Sequence, residues 1–208
     1  MQYQPQETEL CGRRIATLGA VNVAQCRKVA LLCSERCPGN VILKAYDFAR
    51  LVRGSEIVIV SGFQSPIEKD CLNILLRGSQ RVIICQARKL SSSHLPREWQ
   101  EAINAGRMLL LSRFYDWQKR VTVELATQRN RFAAEVSEEV LILYAAPGSK
   151  TEALGLELLS IGKRVYTFQS GNDSKLISHG ATTVLPELLV SSLRGSWEGI
   201  LDASYNKS

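Results

Sequence analysis

The chain has 208 residues, 45% of them hydrophobic, and a chain of that length buries roughly 70% of the surface it exposes when unfolded, enough for one substantial core. Its 26 Lys and Arg against 20 Asp and Glu leave a formal charge of +6 spread along the whole length, which favours an anionic partner because cations that neutralise phosphates release condensed counterions. No apolar run approaches the roughly 18–20 residues that span a bilayer, and Met1 to Leu10 is polar, so the expectation is an untargeted cytoplasmic protein with no membrane contact.

Taken in chain order, residues 1–28 lack strand alternation and predict a short helical preface. From residue 29 onward, Val-, Ile- and Leu-rich runs alternate with stretches of helical period, the signature of βαβ units. Strands are predicted at 29–33, 56–60, 81–85, 108–111, 140–144 and 164–168, with a short one near 182–185. Helices are predicted at 41–52, 66–77, 96–105, 121–136 and 151–161, with a closing helix at 186–201. Gly54, Gly78, Gly106 and Gly162 stand at or just past helix ends, and Pro66 and Pro96 suit first turns. The predicted fold is therefore α/β, a Rossmann-like three-layer arrangement with a mostly parallel central sheet flanked by helices, residues 29–208 forming a single globular unit.

In such a sheet, ligands bind beyond the carboxyl ends of the strands, where helix N-termini point free N–H groups and partial positive charge. The residues to weigh are Ser34, Glu35 and Arg36; Ser61 to Ser65; Gln86 and Arg88; Ser112 and Arg113; and Ala146 to Thr151. Val60-Ser61-Gly62-Phe63-Gln64-Ser65-Pro66 runs from a strand into a helix. Gly62 would admit close backbone approach, and Ser61, Gln64 and Ser65 could bond phosphate oxygens, with Lys69 one turn on; the same serines would also serve as helix caps. Gly148, Ser149, Lys150 and Thr151 offer a glycine, two hydroxyls and a cation at another helix start, without the spacer of a Walker A loop. Arg129, Asn130 and Arg131 fall inside a helix, where residues two apart point to different sides, so one arginine at most faces the crevice and the other pairs with Glu124 or Glu135. Arg36, Lys69, Arg113 and Arg129 are the cations expected around it.

Other chemistry is thinly represented. The two histidines, His94 and His179, lack partners for a hydrolase triad or a metal. The six cysteines are scattered and read as buried free thiols of a reducing compartment, so neither metal nor cofactor is expected. Phe114, Tyr115 and Trp117 beside Arg113, Lys119 and Arg120 could stack bases or anchor a loop.

The order of these motifs resembles the DNA-processing protein A (DprA/Smf) family of the Rossmann-like DprA/LOG superfamily. Val29 to Arg36 is similar to its opening strand with a Gly-Ser-Arg ending, and Ser61-Gly62 to the start of its phosphate loop. Arg129-Asn130-Arg131-Phe132 is similar to its Arg-Asn-Arg motif, and Gly148-Ser149 with Thr151 to its later Ser-Gly-Ser/Thr loop. Asn172 with Lys175-Leu176-Ile177 and Gly180-Ala181 is similar to its closing pattern. The resemblance implies binding of single-stranded DNA, homodimers, and loading of a RecA-type recombinase in recombination or natural transformation. The sequence departs from the family at Cys33, where glycine is usual, and at Phe63 to Lys69, which replaces an Ala-x-Gly-Ile-Asp run. It carries neither the N-terminal helical domain nor the C-terminal winged helix of many members and reads as a minimal or divergent relative. Two alternatives stand beside this reading: a LOG-type nucleoside 5'-monophosphate phosphoribohydrolase using Arg129 and Glu152, and a non-catalytic nucleotide sensor.

Overall fold

The computed structural model describes residues 3–91, 95–115, 120–168 and 175–194. Nine strands form one sheet in the order β1-β2-β6-β5-β4-β3-β7-β8-β9. They are β1 (Gln6–Leu10), β2 (Arg13–Gly19), β3 (Lys28–Cys33), β4 (Val58–Ser61), β5 (Val82–Cys85), β6 (Met108–Ser112), β7 (Glu139–Tyr144), β8 (Arg164–Phe168) and β9 (Thr182–Val184). β3 to β9 run parallel, whereas β1 and β2 join antiparallel along β6. The helices are α1 (Gly39–Val52), α2 (Pro66–Leu76), α3 (Arg97–Asn104), α4 (Val123–Glu135), α5 (Lys150–Ser160), α6 (Lys175–Ser178) and α7 (Pro186–Arg194).

Each parallel strand is short and branched because both its faces are covered. Val29, Leu31, Ile59, Ile84, Leu110 and Leu141 meet α1, α2, α3 and α7 in one core. The alternate residues face α4 through Phe132 and Ala133, and α5 through Leu154 and Leu158. A three-layer α/β fold results, as the sequence predicts, and among the described residues no helix is long and apolar enough to cross a membrane.

The predicted helical preface is corrected. Residues 6–19 form a β-hairpin, followed by a single 3-10 turn at Val21–Gln25. The physical reason lies at Cys11 and Gly12, both at positive φ (52° and 68°), the two-residue turn geometry that matches strand twist. Ile15, Ala16, Thr17 and Leu18 are all buried, so this segment belongs to the sheet rather than to a separate preface. Of the predicted closing helix, Pro186–Arg194 is helical, and residues 195–201 lie outside the described residues.

Candidate functional site

Because β3 to β8 run parallel, the loops after β3, β4, β5 and β7 share one rim. Strand order reverses between β3 and β7, where open sheets usually present a crevice. Here that point is stitched shut. The Ser34 N–H donates to the Tyr144 carbonyl at 2.9 Å, the Ser34 hydroxyl accepts the Ala146 N–H at 2.9 Å, and it lies 3.1 Å from the Ser149 hydroxyl.

The two helix N-termini expected to cradle phosphate are already capped from within. At α2, Ser65 accepts the Glu68 N–H, while the Glu68 carboxylate accepts N–H bonds from Gln64 (2.9 Å) and Ser65 (3.4 Å) and from Cys33 at the end of β3 (2.9 Å). Glu68 is fully buried, which raises its carboxyl above the usual range against the pull of these bonds and of Arg129. At α5, Ser149 accepts the Glu152 N–H and the Glu152 carboxylate accepts the Gly148 N–H at 2.8 Å. Carboxylates thus stand where phosphate oxygens were expected. Ser61 is likewise fully buried, its hydroxyl accepting the Phe63 N–H at 3.0 Å and shaping a turn in which Phe63 takes a φ of 48°. The hydroxyls of Ser34, Ser61, Ser65 and Ser149 therefore organise the rim instead of facing outward.

What remains open is a cleft of about 510 Å³ over the ends of β4 and β5. Its floor is Ile84, Cys85 and Ala87, its walls Gly62, Gln64 and Arg129 on one side and Leu95 and Trp99 on the other, with Gln86, Arg88, Lys89, Ser91 and Val121 around the mouth. Arg129 projects from α4 and is 5% exposed. Its Nε and Nη2 donate to the Asn130 side-chain carbonyl at 3.1 and 2.9 Å, and its guanidinium fills the space that a side chain at Gly62 would take. Burial lowers its pKa from the ordinary value, with Glu68 and Cys85 opposing; a guanidinium nevertheless stays charged. Beneath it, burial pushes the Cys85 thiol up to about 12. Among the described residues that line it are three cations and no carboxylate, a lining that favours an anion.

The other expected residues separate from this cleft. Arg131 points to α5 and is bound at both ends by Glu157 (2.8 and 2.5 Å), which raises the arginine and lowers the glutamate. Arg113 lies over the Phe132 ring at 5.9 Å and 4.0 Å from Glu135. Both line a second groove along α4 and α5 instead, so the expectation that Arg113 surrounds the same crevice is corrected. The predicted partner of the outward arginine, Glu124 or Glu135, is replaced by Glu157. Arg36, Lys69 and Lys150 are exposed and Thr151 is buried; none lines the cleft. Tyr115 donates to the Arg14 carbonyl at 2.7 Å, tying its loop to β2, while Trp117 and Lys119 lie outside the described residues, as do His94 and Asn172. Lys89 and Trp99 escape the sequence reading, which weighs residues directly after strands and not the first turn of α3; the Trp-within-a-charged-helix pattern Arg97-Glu98-Trp99 was the available signal.

The model of the family described as DNA recombination-mediator protein A matches residues 8–188. No curated protein matches the chain in sequence. Among solved structures, it is similar to DNA processing protein A (DprA) from Streptococcus pneumoniae, at 20% identity and a TM-score of 0.70, covering 88% of this chain and 66% of that one. It is also similar to DNA processing protein A from Helicobacter pylori, described for its single-stranded DNA binding mode, at 18% identity and a TM-score of 0.73, covering 92% and 95%. A molybdenum cofactor binding protein from Rippkaea orientalis shares the fold more loosely, at 12% identity and a TM-score of 0.55, covering 80% and 94%. These likenesses establish a common fold.

Proposed function

The chain belongs to the DNA recombination-mediator protein A family, and from that premise we propose that it binds single-stranded DNA, with the backbone phosphates held by side-chain cations of the β4–β5 cleft. The observation that carries this reading is the seat of Arg129. Asn130 and Gly62 fix its guanidinium at the cleft wall, and among the described residues its Nη1 has no acceptor and Arg88 and Lys89, which line the same cleft, have no ion pair. A cation held this way loses little freedom when it meets a phosphate, and a buried guanidinium gains more from an anion than an exposed one does. Because Glu68 and Glu152 occupy the helix amides, the proposed site relies on arginine and lysine and not on helix N-termini.

Titration of a labelled oligo-dT at several salt concentrations tests this. For single strands, log affinity falls by about 0.7 per log unit of salt for each phosphate neutralised. Arg129→Ala should weaken binding and flatten that slope by about one contact, and the double change Arg88→Ala, Lys89→Ala by about two. Salt-independent binding, or a slope untouched by these changes, overturns the proposal. Family membership supports extending the role to DNA recombination, in which the protein would present the strand to a RecA-type recombinase, acting as a homodimer. Faster recombinase assembly on an oligonucleotide in its presence, lost with Arg129→Ala, is the corresponding test.

A further inference from the structure

We propose that Cys33 and Cys37 form a dithiol that a hydroperoxide oxidises to a disulfide, a modification site on the loop between β3 and α1. That loop brings the two side chains together: Cys33 is the last residue of β3, the chain bends at Glu35 and Arg36, and Cys37 stands just before Pro38, the cap of α1. A hydrogen bond links one sulfur to the other, and Cys37 packs against the core cluster that holds Cys33. Sulfurs already in contact across so short a bend need little backbone movement to reach the geometry of a bond. Neither thiol lines the β4–β5 cleft, so the site stands apart from oligonucleotide binding.

The two sulfurs are unequal in the way such a pair requires. Cys37 is half-buried, so a small peroxide reaches it, while Cys33 is 6% exposed and shielded from a reagent in solution. The hydrogen bond from Cys33 holds the Cys37 thiol below its ordinary value, and the contact of Cys37 with the Pro38 carbonyl, 3.8 Å long, costs little to give up. Cys37 also precedes a helix start that no carboxylate neutralises: α1 has no side-chain cap and no acidic residue in its first turn, whereas Glu68 and Glu152 fold back on α2 and α5. The positive end of α1 thus favours a thiolate. Cys71, the third thiol of this region, is buried with its S–H donating to the Ala45 carbonyl at 3.7 Å, and among the described residues no three His, Cys, Asp or Glu side chains are grouped to hold a metal ion.

The chemistry needs no reactant beyond the hydroperoxide. The Cys37 thiolate attacks its terminal oxygen: an S–O bond forms, the O–O bond breaks, and the leaving alkoxide, or hydroxide from hydrogen peroxide, takes up a proton and departs as alcohol or water. Cys37 is then a sulfenic acid. Cys33 gives up its proton and attacks that sulfur, forming the S–S bond as the S–O bond breaks, and the departing hydroxide takes that proton to become water. The pair has passed two electrons to the peroxide, and a thiol reductant returns them by exchange.

The experiment treats the reduced full chain with hydrogen peroxide, blocks the remaining thiols with iodoacetamide and maps tryptic peptides without reduction. Trypsin cuts after Arg36, so the bond would join peptide 29–36 to peptide 37–44. That linked pair should form, disappear with dithiothreitol, and arise roughly 10-fold faster than any oxidation of exposed Cys11, because an ordinary thiol is only a few per cent thiolate near neutral pH. Cys37→Ser should leave Cys33 unoxidised, and Cys71→Ala should leave the linked pair as in wild type. Cys33→Ala should stop at the sulfenic acid of Cys37, which dimedone captures. Should that variant fail to fold, dimedone added to wild type together with the peroxide should intercept the same intermediate and lower the yield of linked peptide. Linkage of Cys37 to any other thiol, or oxidation of Cys37 no faster than that of Cys11, overturns the proposal, and neither result bears on oligonucleotide binding.

Discussion

Gly62 and Arg129 share one volume: a Cβ added to Gly62 would stand 2.2 Å from Arg129 Nε and 2.5 Å from its Cζ. The glycine is needed here for space, not for a left-handed backbone, since Gly62 is not among the positive-φ residues. Gly62→Ala must therefore push the guanidinium off its seat, breaking its alignment with Asn130. The expected result is a loss of oligonucleotide affinity comparable with that of Arg129→Ala, with a stability cost of ~1–3 kcal/mol from overpacking. Thermal unfolding and the salt titration measure the two effects; full affinity in Gly62→Ala would show that the seat does not matter for binding.

The two arginines of the Arg129-Asn130-Arg131 run should behave oppositely. Arg131 and Glu157 are each more than 40% exposed, and such a pair contributes ~0.2–1 kcal/mol at most. Arg131→Ala should thus lower stability slightly and leave the oligonucleotide salt slope as in wild type, whereas Arg129→Ala flattens it. A slope flattened equally by both would move the binding surface to the α4–α5 groove.

The strands β3 to β8 were legible because burial on both faces writes near-continuous Val, Ile and Leu into them. The β1–β2 hairpin was not, because β1 is an edge strand with at most half-buried side chains, so no alternation marks it. The structure brings Gly62 and Arg129 together at the rim, and it turns the serines to helix capping, the alternative use the sequence reading left open. A serine before a helix is the same residue whether it caps that helix or meets a phosphate, and only the partner three residues on separates the two uses. Ser65 with Glu68, and Ser149 with Glu152, carry the spacing in which a glutamate folds back on the helix start. That spacing stood in the sequence and argued for self-capping. The pattern Arg97-Glu98-Trp99 marks Trp99 as the apolar residue of a charged turn, but that it faces the cleft depends on how α3 packs against the sheet, a long-range fact.

Glu68 gathers three N–H bonds from two loops, so its removal should loosen the rim as a whole. Glu68→Gln replaces one accepting oxygen with a donating NH₂, leaving either the Cys33 N–H or the Gln64 and Ser65 N–H groups without an acceptor, at a cost of ~1–3 kcal/mol. The pH dependence has a definite sign. Burial raises the folded pKa of Glu68 above its unfolded value, so its contribution is fully present below the unfolded pKa and is lost as pH rises through the folded one. The stability advantage of wild type over Glu68→Gln should therefore shrink as pH rises from the acidic side toward neutrality. Denaturant unfolding of both proteins across that window measures it, and an advantage that grows with pH would contradict burial as the dominant influence.

Glu152 separates a structural from a catalytic use of the α5 loop. Glu152 is 5% exposed, its carboxylate accepts the Gly148 N–H, and the cleft that Arg129 lines does not include it. Glu152→Ala should lower the melting temperature through loss of the loop's acceptor, ~1–3 kcal/mol, and leave oligonucleotide affinity unchanged. Release of free base from a nucleoside monophosphate by wild type, abolished in Glu152→Ala, would instead favour the phosphoribohydrolase reading.

The thiols rank by environment. Cys33, Cys71 and Cys85 are buried while Cys11 is exposed and Cys26 and Cys37 are half-buried. A hydrogen bond from Cys33 pulls the Cys37 thiol below its ordinary value and, with burial, pushes Cys33 up. Burial also pushes Cys71 and Cys85 to about 12. Since the thiolate is the reacting form, iodoacetamide near neutral pH should modify Cys11 and Cys37 in the folded protein, reach half-buried Cys26 more slowly, and spare Cys33, Cys71 and Cys85 until denaturant is added. Cys37 should keep reacting as pH is lowered below the range in which an ordinary thiol slows. Peptide mass mapping over time reads all six thiols at once. Labelling of Cys85 at the rate of Cys37 would mean that the floor of the cleft opens to solvent, and Arg129 with it.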